Sequence, residues 1–304
     1  MTIDVSLLNV VLQKASLLLD RLQSDHLALK EQEPTRTHKN SQSLNMESFV
    51  LRWDKNRGFT PINWACPLSH DILLHVDQQA KLLLANTQQF INGFPANNAL
   101  LWGARGTGKS SLIQTTLAKF TRKQLQIIEI NQQGFSDWLE IIEWIQANNT
   151  QKFIIFCDDL SFNENDSTYR EIKAALDGSM TSLPENALIY ASSNRRHLLP
   201  EKLADNMSTQ HIDGEIHHSE AVEETISLSD RFGLWLSFHA LTQNQYLDIV
   251  QHWLKEYGVD ESLDSYRELA LRWALQRGSR SGRIANQFAR DFAGKVLMKK
   301  LTEN

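Results

Sequence analysis

Cysteine is nearly absent from this 304-residue chain, which carries only Cys66 and Cys157. The pair has no metal-ligand spacing, and Cys157 falls inside an apolar stretch where it reads as a small buried thiol, a usage that suits a reducing cytoplasm. Positive charge is also scarce: the formal net charge of −5 gives no bulk support for a strongly cationic nucleic-acid binder and leaves only a local basic patch open. No run approaches the roughly eighteen apolar residues of a membrane helix, and Asp4 stands where an export signal would carry a basic region. Neither a membrane span nor export is therefore expected. Internal repeats and sustained heptads are missing as well, which excludes a solenoid or a long coiled coil.

What the chain does contain is an ordinary soluble composition, a length sufficient for a large core, and one run that organises the rest. Gly103-Ala104-Arg105-Gly106-Thr107-Gly108-Lys109-Ser110, followed by Ser111, matches Gly-x-x-x-x-Gly-Lys-Ser/Thr. Glycines let the backbone curl so that successive N–H groups face phosphate oxygens, and the following helix offers the positive end of its dipole. Lys109 would reach the β- and γ-phosphates and Ser110 a Mg²⁺ ion. The flanks suit this reading: Ala99, Leu100, Leu101 and Trp102 form a short apolar run before it, and Leu112, Ile113, Thr116 and Leu117 a helical stripe after it.

Along the chain, Leu8, Val11, Leu12, Ala15, Leu18, Leu19 and Leu22 predict an amphipathic helix within residues 1–30, either packed on the body or bound to a partner. Residues 31–46 are polar and aperiodic and read as a linker. Trp53, Phe59, Ile62 and Trp64 bring apolar residues back ahead of a helix with Leu73, Val76, Ala80, Leu84 and Ile91 on one stripe. Strands are expected at Leu125 to Ile130, Phe153 to Cys157, Ala187 to Ala191 and Leu234 to Phe238, with helices near Trp138 and Tyr169 between them. Alternation of strand and helix implies a parallel sheet covered on both faces. Three helices with apolar stripes then follow: Tyr246, Ile249, Val250, Trp253 and Tyr257; Tyr266, Ala270 and Trp273; Ile284, Phe288, Phe292 and Val296. This predicts an α/β nucleotide-binding domain over 47–240 and a small helical domain over 241–304.

Chemistry-bearing residues fall at the ends of these strands. Phe153 to Cys157 runs into Asp158 and Asp159, carboxylates placed where parallel sheets bind ligands; Asp158 would hold Mg²⁺ and Asp159 would orient or deprotonate the attacking water. The next strand leads to Ser192, Ser193, Asn194, Arg195, Arg196 and His197, where the Asn194 amide would hydrogen-bond the γ-phosphate or the water. Arg231, just before the last strand, would reach the phosphates of an adjoining subunit. In Gly278-Ser279-Arg280-Ser281-Gly282-Arg283, Arg283 or, second, Arg280 would fold over the nucleotide. His211, Asp213, Glu215, His217, His218, Glu220, Glu223 and Glu224 crowd one stretch, but their spacing fits no standard metal pattern, and a mobile loop is expected there.

The ordered set GARGTGKS, FCDDL, YASSN, SDRFG and SGR resembles a AAA+ ATPase module over roughly Asp71 to Leu301. The strings ALLWGARGTGKSSL, FCDDLSF, SSNRRHLLP and EAVEETISLSDRFGLWLSF are similar to an uncharacterised bacterial family of AAA+ ATP-binding proteins with a domain of unknown function. The paired aspartates and Arg231-Phe232 are also similar to replication initiators and helicase loaders, in which Asp-Asp is common. This resemblance implies a five-stranded parallel sheet in the order 5-1-4-3-2, ATP and Mg²⁺ between body and lid, and catalysis shared within a homo-oligomer. The chain stops after the lid, so an initiator's C-terminal helix-turn-helix is not expected. The leading expectation is a cytoplasmic ATPase doing conformational work on an unidentified protein or nucleic-acid partner. A nucleotide-gated loader or adaptor with slow hydrolysis is the alternative, and a small-molecule kinase a weaker third.

Overall fold

The computed structural model describes residues 50–64, 73–120, 124–161, 172–173, 176, 183–195, 198, 210–212, 215–217 and 230–302, with 210–212 and 215–217 described by backbone alone. All belong to one unit, Glu47–Asn304. The sequence-predicted N-terminal helix and linker, Cys66, Tyr169, Arg196 and His197 lie outside the described residues.

Alternation of strand and helix produces β3 (Ala99–Gly103), α2 (Lys109–Leu117), β4 (Gln126–Ile130), α3 (Trp138–Ala147), β5 (Phe153–Cys157), β6 (Ala187–Ser193) and β9 (Leu234–Phe238). Ahead of them stand β1 (Val50–Asp54), β2 (Gly58–Ile62) and α1 (Asp77–Ile91). One sheet contains seven strands in the order β2-β1-β4-β5-β6-β3-β9. The expected five-stranded sheet in the order 5-1-4-3-2 is thus corrected: the sheet has seven strands, and its order differs by the two added ones, the run β9-β3-β6-β5-β4 following the expected sequence. The added strands lie at the edge beyond β4, where β1 runs parallel to β4 with Val50 opposite Ile127 and antiparallel to β2. Aromatic contacts fasten this hairpin. Trp53 and Phe59 meet edge to face at 4.8 Å, Phe59 lies 4.2 Å from Trp144 of α3, and Trp53 Nε1 donates to Asp137 at 3.0 Å.

The inner strands are covered on both faces, and every residue of β5 and β6 is buried. Successive side chains point to opposite faces. Ile154 and Phe156 join Leu83, Phe90, Leu112, Ile113 and Leu117 of α1 and α2, whereas Phe153 turns to the other face and meets Trp144 at 5.4 Å. The α1 stripe is also shifted from its expected position: Ala80, Leu83, Asn86, Thr87 and Phe90 are buried, while Leu84 and Ile91 are partly so. The shift brings polar atoms inside. Tyr190 Oη accepts from Asn86 Nδ2 at 3.0 Å and shares a hydrogen bond with Thr87 Oγ1 at 2.9 Å.

Parallel register aligns the strand ends that matter. Cys157 is opposite Ala191, Trp102 opposite Ser193, and Gly103 opposite Phe238, so the segments after β3, β5 and β6 emerge at one edge. Gly103, at φ 132°, permits the closest approach: a Cβ there would stand 1.9 Å from the Phe238 carbonyl oxygen. Residues 210–217, expected as a loop, include a short antiparallel hairpin, β7 (Gln210–Ile212) and β8 (Glu215–His217).

After β9 come α4 (Gln243–Glu256), α5 (Leu263–Gln276) and α6 (Gly282–Thr302). Tyr246, Val250, Leu254, Tyr266, Ala270, Phe288, Ala289 and Ala293 form their core, and the Tyr246 hydroxyl donates to the Ala270 carbonyl at 3.1 Å. No helix among the described residues is long and apolar enough to cross a membrane.

Two outcomes are expected from this packing. Tyr190→Phe leaves the Asn86 amide short of an acceptor and should cost about 1–3 kcal/mol in chemical denaturation. Burial pushes the Tyr190 pKa up to about 12, so its contribution is complete below the unfolded tyrosine value and lost as pH rises through the folded one. The difference between wild type and variant should therefore narrow above pH ~10; a gap that widens there would contradict the buried, neutral phenol. In the second test, Gly103→Ala is expected to lose more than about 4 kcal/mol, because β9 must move. Gly258→Ala, at φ 74° with nothing within 4 Å, should lose only about 1 kcal/mol. Equal losses would contradict the close β3–β9 approach.

Candidate functional site

The loop between β3 and α2 is shaped by three glycines with positive φ: Gly103, Gly106 at 73° and Gly108 at 100°. Gly108 is the residue that caps α2, and its left-handed conformation turns the chain into the helix so that the helix N-terminus faces the loop's concavity. The loop is pinned at both sides. Ala104 N–H donates to the Phe238 carbonyl at 3.0 Å, and Thr107 Oγ1 donates to the Ala104 carbonyl at 2.8 Å.

Lys109 is buried beneath the loop, where Nζ donates to Gly103 O at 2.9 Å, Ala104 O at 2.8 Å and Asn194 Oδ1 at 3.0 Å. Gly103 and Ala104 therefore contribute carbonyls beneath the loop, while residues 105–111 face the open side. Burial lowers the Lys109 pKa; Asp159 and Asp158 oppose the shift, and Arg105 and Arg283 add to it.

Around this ammonium the strand ends assemble a continuous polar network. Ser110 Oγ donates to Asp158 Oδ1, and so does Ser192 Oγ at 2.6 Å. Ser192 Oγ also accepts the Asp159 backbone N–H at 3.0 Å. Asp159 takes a left-handed backbone, φ 52°, which turns its carboxylate toward Asn194, whose Nδ2 donates to Asp159 Oδ1. Asn194 thus bridges Lys109 and Asp159. Ser192 was legible only as part of the polar run after its strand; its bridging role follows from the Cys157–Ala191 register, which sets β6 one residue beyond Asp158.

A cleft of about 880 Å³ opens over this network and is closed on its other side by the helical segment. Contact between the two is direct: Gly282 N–H donates to the Gly106 carbonyl at 2.9 Å, and a Cβ on Gly106 would stand 2.9 Å from Ser281 Oγ. That hydrogen bond fixes the start of α6. Arg283 consequently lines the cleft, whereas Arg280 is exposed outside it. Asn286, Gln287 and Arg290 line it further along the same helical face, a spacing that could have been read from the sequence. The apolar part is formed by Leu73, Leu74, Leu241, Ile249, Trp253 and Tyr257. Trp253 and Tyr257 stack at 5.8 Å, and the Tyr257 hydroxyl donates to Asn286 Oδ1 at 3.3 Å. The sequence pattern places both aromatics on an apolar stripe, and they pack against the helical core while also bordering the cleft.

Arg231 is not part of this assembly. It lies in the turn before β9, at the end of the sheet remote from the phosphate loop, between exposed Asp230 and buried Phe232.

Solved structures share this fold. The Thermotoga maritima RuvB Holliday junction branch migration motor superposes with a TM-score of 0.52 at 18% identity, covering 77% of this chain and 67% of that one. The Aeropyrum pernix ORC1 protein in complex with DNA gives a TM-score of 0.50 at 16% identity, covering 76% and 65%. This chain thus spans about two thirds of their length. No curated protein matches the sequence. The family described as "Protein of unknown function (DUF815)" matches residues 46–296. The chain belongs to that family, and its fold is that of the AAA+ ATPases.

Proposed function

We propose that the protein is a AAA+ ATPase that binds Mg·ATP between its α/β body and helical lid and uses hydrolysis to do conformational work on a macromolecular partner. One observation carries this reading. Lys109, Ser110, Asp158, Asp159 and Asn194 come from three separate segments and are joined by hydrogen bonds directly under a glycine loop and a helix N-terminus.

The chemistry of the donor set suits the ligands. The loop amides and the α2 N-terminus favour phosphate oxygens. Lys109 would exchange its two loop carbonyls for the β- and γ-phosphates, relieving the cost of its burial by pairing with anionic oxygens. Ser110 Oγ and the Asp158 carboxylate are adjacent hard oxygen donors suited to Mg²⁺. When bound, that ion would neutralise charge on the phosphates. The Trp253–Tyr257 pair and the leucines give an apolar, aromatic wall suited to a base, and Arg283 stands over the phosphate side of the cleft. Asp159, oriented by Asn194, would accept a proton from a water as its oxygen bonds to the γ-phosphorus and the bond to the ADP oxygen breaks.

Arg231 requires a second subunit. Ala99 and Gly103 of β3 pair with Leu234 and Phe238, and four residue steps of strand amount to roughly 13 Å. Arg231 precedes Leu234 and so lies farther still from its own phosphate loop. Its reach toward phosphates is to those of a neighbour, as an arginine finger in trans.

Lys109→Ala is expected to weaken nucleotide binding at least tenfold in calorimetric titration. Asp159→Asn should keep that binding and lose turnover by ~10²–10⁴-fold in a phosphate-release assay. Undiminished turnover in both variants would refute the catalytic assignment. For Arg231→Ala the expected result is retained binding with turnover lowered by ~10³–10⁵-fold, partly restored on mixing with Lys109→Ala chains. Wild-type turnover by an obligate monomer lacking Arg231 would exclude the trans reading.

A further inference from the structure

The cleft carries more positive charge than its own carboxylates balance. Arg105, Lys109, Arg283 and Arg290 line it against Asp158 and Asp159 alone, in a chain whose formal net charge is −5. The carboxylates and the lysine are already engaged: Ser110 and Ser192 donate to Asp158, Asn194 donates to Asp159, and the Lys109 ammonium is held by the Gly103, Ala104 and Asn194 oxygens. The arginines are not. Among the described residues none of their guanidinium groups makes a hydrogen bond or ion pair.

Arg105 differs from the other two in where it is rooted. Lys109 Nζ lies 2.9 Å from Gly103 O and 2.8 Å from Ala104 O, so the first residues of the loop stand at the ammonium group, and Asn194 brings Asp159 to the same place. Arg105 is the next residue along. Its neighbours are fixed on both sides, Ala104 by the Phe238 carbonyl at 3.0 Å and by Thr107 Oγ1 at 2.8 Å, and Gly106 by the Gly282 N–H at 2.9 Å. The guanidinium therefore starts from a rigid point on the body, at the end of the loop where ammonium, amide and second aspartate converge. It also acts on that ammonium: as a like charge it lowers the Lys109 pKa, more than Arg283 does. Two unpaired guanidinium groups flanking the Gly106–Gly282 contact repel each other unless an anion lies between them.

We propose that Arg105 is a specificity-determining residue that contacts the terminal phosphate of the nucleotide from the loop side, so that a single chain distinguishes a nucleoside triphosphate from a diphosphate. The inference rests on the reading of the cleft as an ATP site. A γ-phosphate beside Lys109 offers oxygens to the planar guanidinium fork, and a diphosphate ends short of it. Arg283 reaches the phosphates from the lid and Arg231 from a neighbour, so each depends on a movement or on assembly. Arg105 depends on neither.

The test is calorimetric titration of the full chain with Mg²⁺ and either ADP or the β,γ-imido analogue of ATP, which keeps the γ-phosphate and is not hydrolysed. Arg105→Gln is expected to lose about tenfold or more in affinity for the triphosphate and to stay within about twofold of wild type for ADP. Arg105→Lys, which keeps a point charge without the fork, should recover part of the loss. Arg231→Ala should keep the wild-type ratio of the two affinities. Without nucleotide the melting temperature of Arg105→Gln should not fall, since no hydrogen bond among the described residues is lost. Equal weakening for both nucleotides in Arg105→Gln, or an unchanged ratio, while Lys109→Ala loses binding of both, would overturn the role of Arg105 and leave the ATP site standing. Binding of neither nucleotide by the wild-type chain would remove the ATP reading itself.

Discussion

A buried ammonium group sets the terms for the site. Taking Lys109 out of water is costly, and burial is the largest influence drawing its pKa down. The structure offsets that cost with two carbonyls from the start of its own loop and one amide oxygen from the end of β6. Those acceptors converge only because β3 and β6 run parallel and in register, so the position of one cation depends on the arrangement of the central sheet. The same acceptors are weaker partners than phosphate oxygens would be. A site that satisfies Lys109 adequately but not maximally is poised to exchange partners.

The lid enters the same balance through backbone atoms. Gly282 donates to Gly106, the middle glycine of the loop, and neither residue tolerates a Cβ comfortably at that junction. The glycine loop and the helix that carries Arg283 therefore share a hydrogen bond. Movement of either changes the geometry of the other without any intervening side chain.

Much of this was legible in the sequence because it rests on local spacing. The loop pattern, the apolar run into Asp158 and Asp159, and the polar tip at Asn194 each need only a strand followed by a short, chemically defined segment. The β1–β2 hairpin was not legible, since its stability comes from partners far along the chain. Val50 pairs with Ile127, and Phe59 packs on Trp144. Five-residue strands interrupted by Asn56 and Gly58 give little periodicity of their own. Trp253 and Tyr257 were legible as part of an apolar stripe, and both pack against the helical core; that they also line the cleft was not, because a stripe reports which residues leave water and not which surface they meet. Which of Arg280 and Arg283 lines the cleft likewise turned on where α6 begins, which the Gly282–Gly106 hydrogen bond fixes and residue order does not.

Strand β9 has an unusual position in this scheme. At its C-terminal end Phe238 accepts a hydrogen bond from Ala104 and bounds the space of Gly103; its N-terminal end continues the turn bearing Arg231. Five hydrogen-bonded residues make a short, stiff connection, paired to β3 along its whole length. The glycine loop and the turn that bears Arg231 are thus mounted at the two ends of one strut. A displacement at either end would therefore be passed to the other along a stiff element and not through a flexible tether.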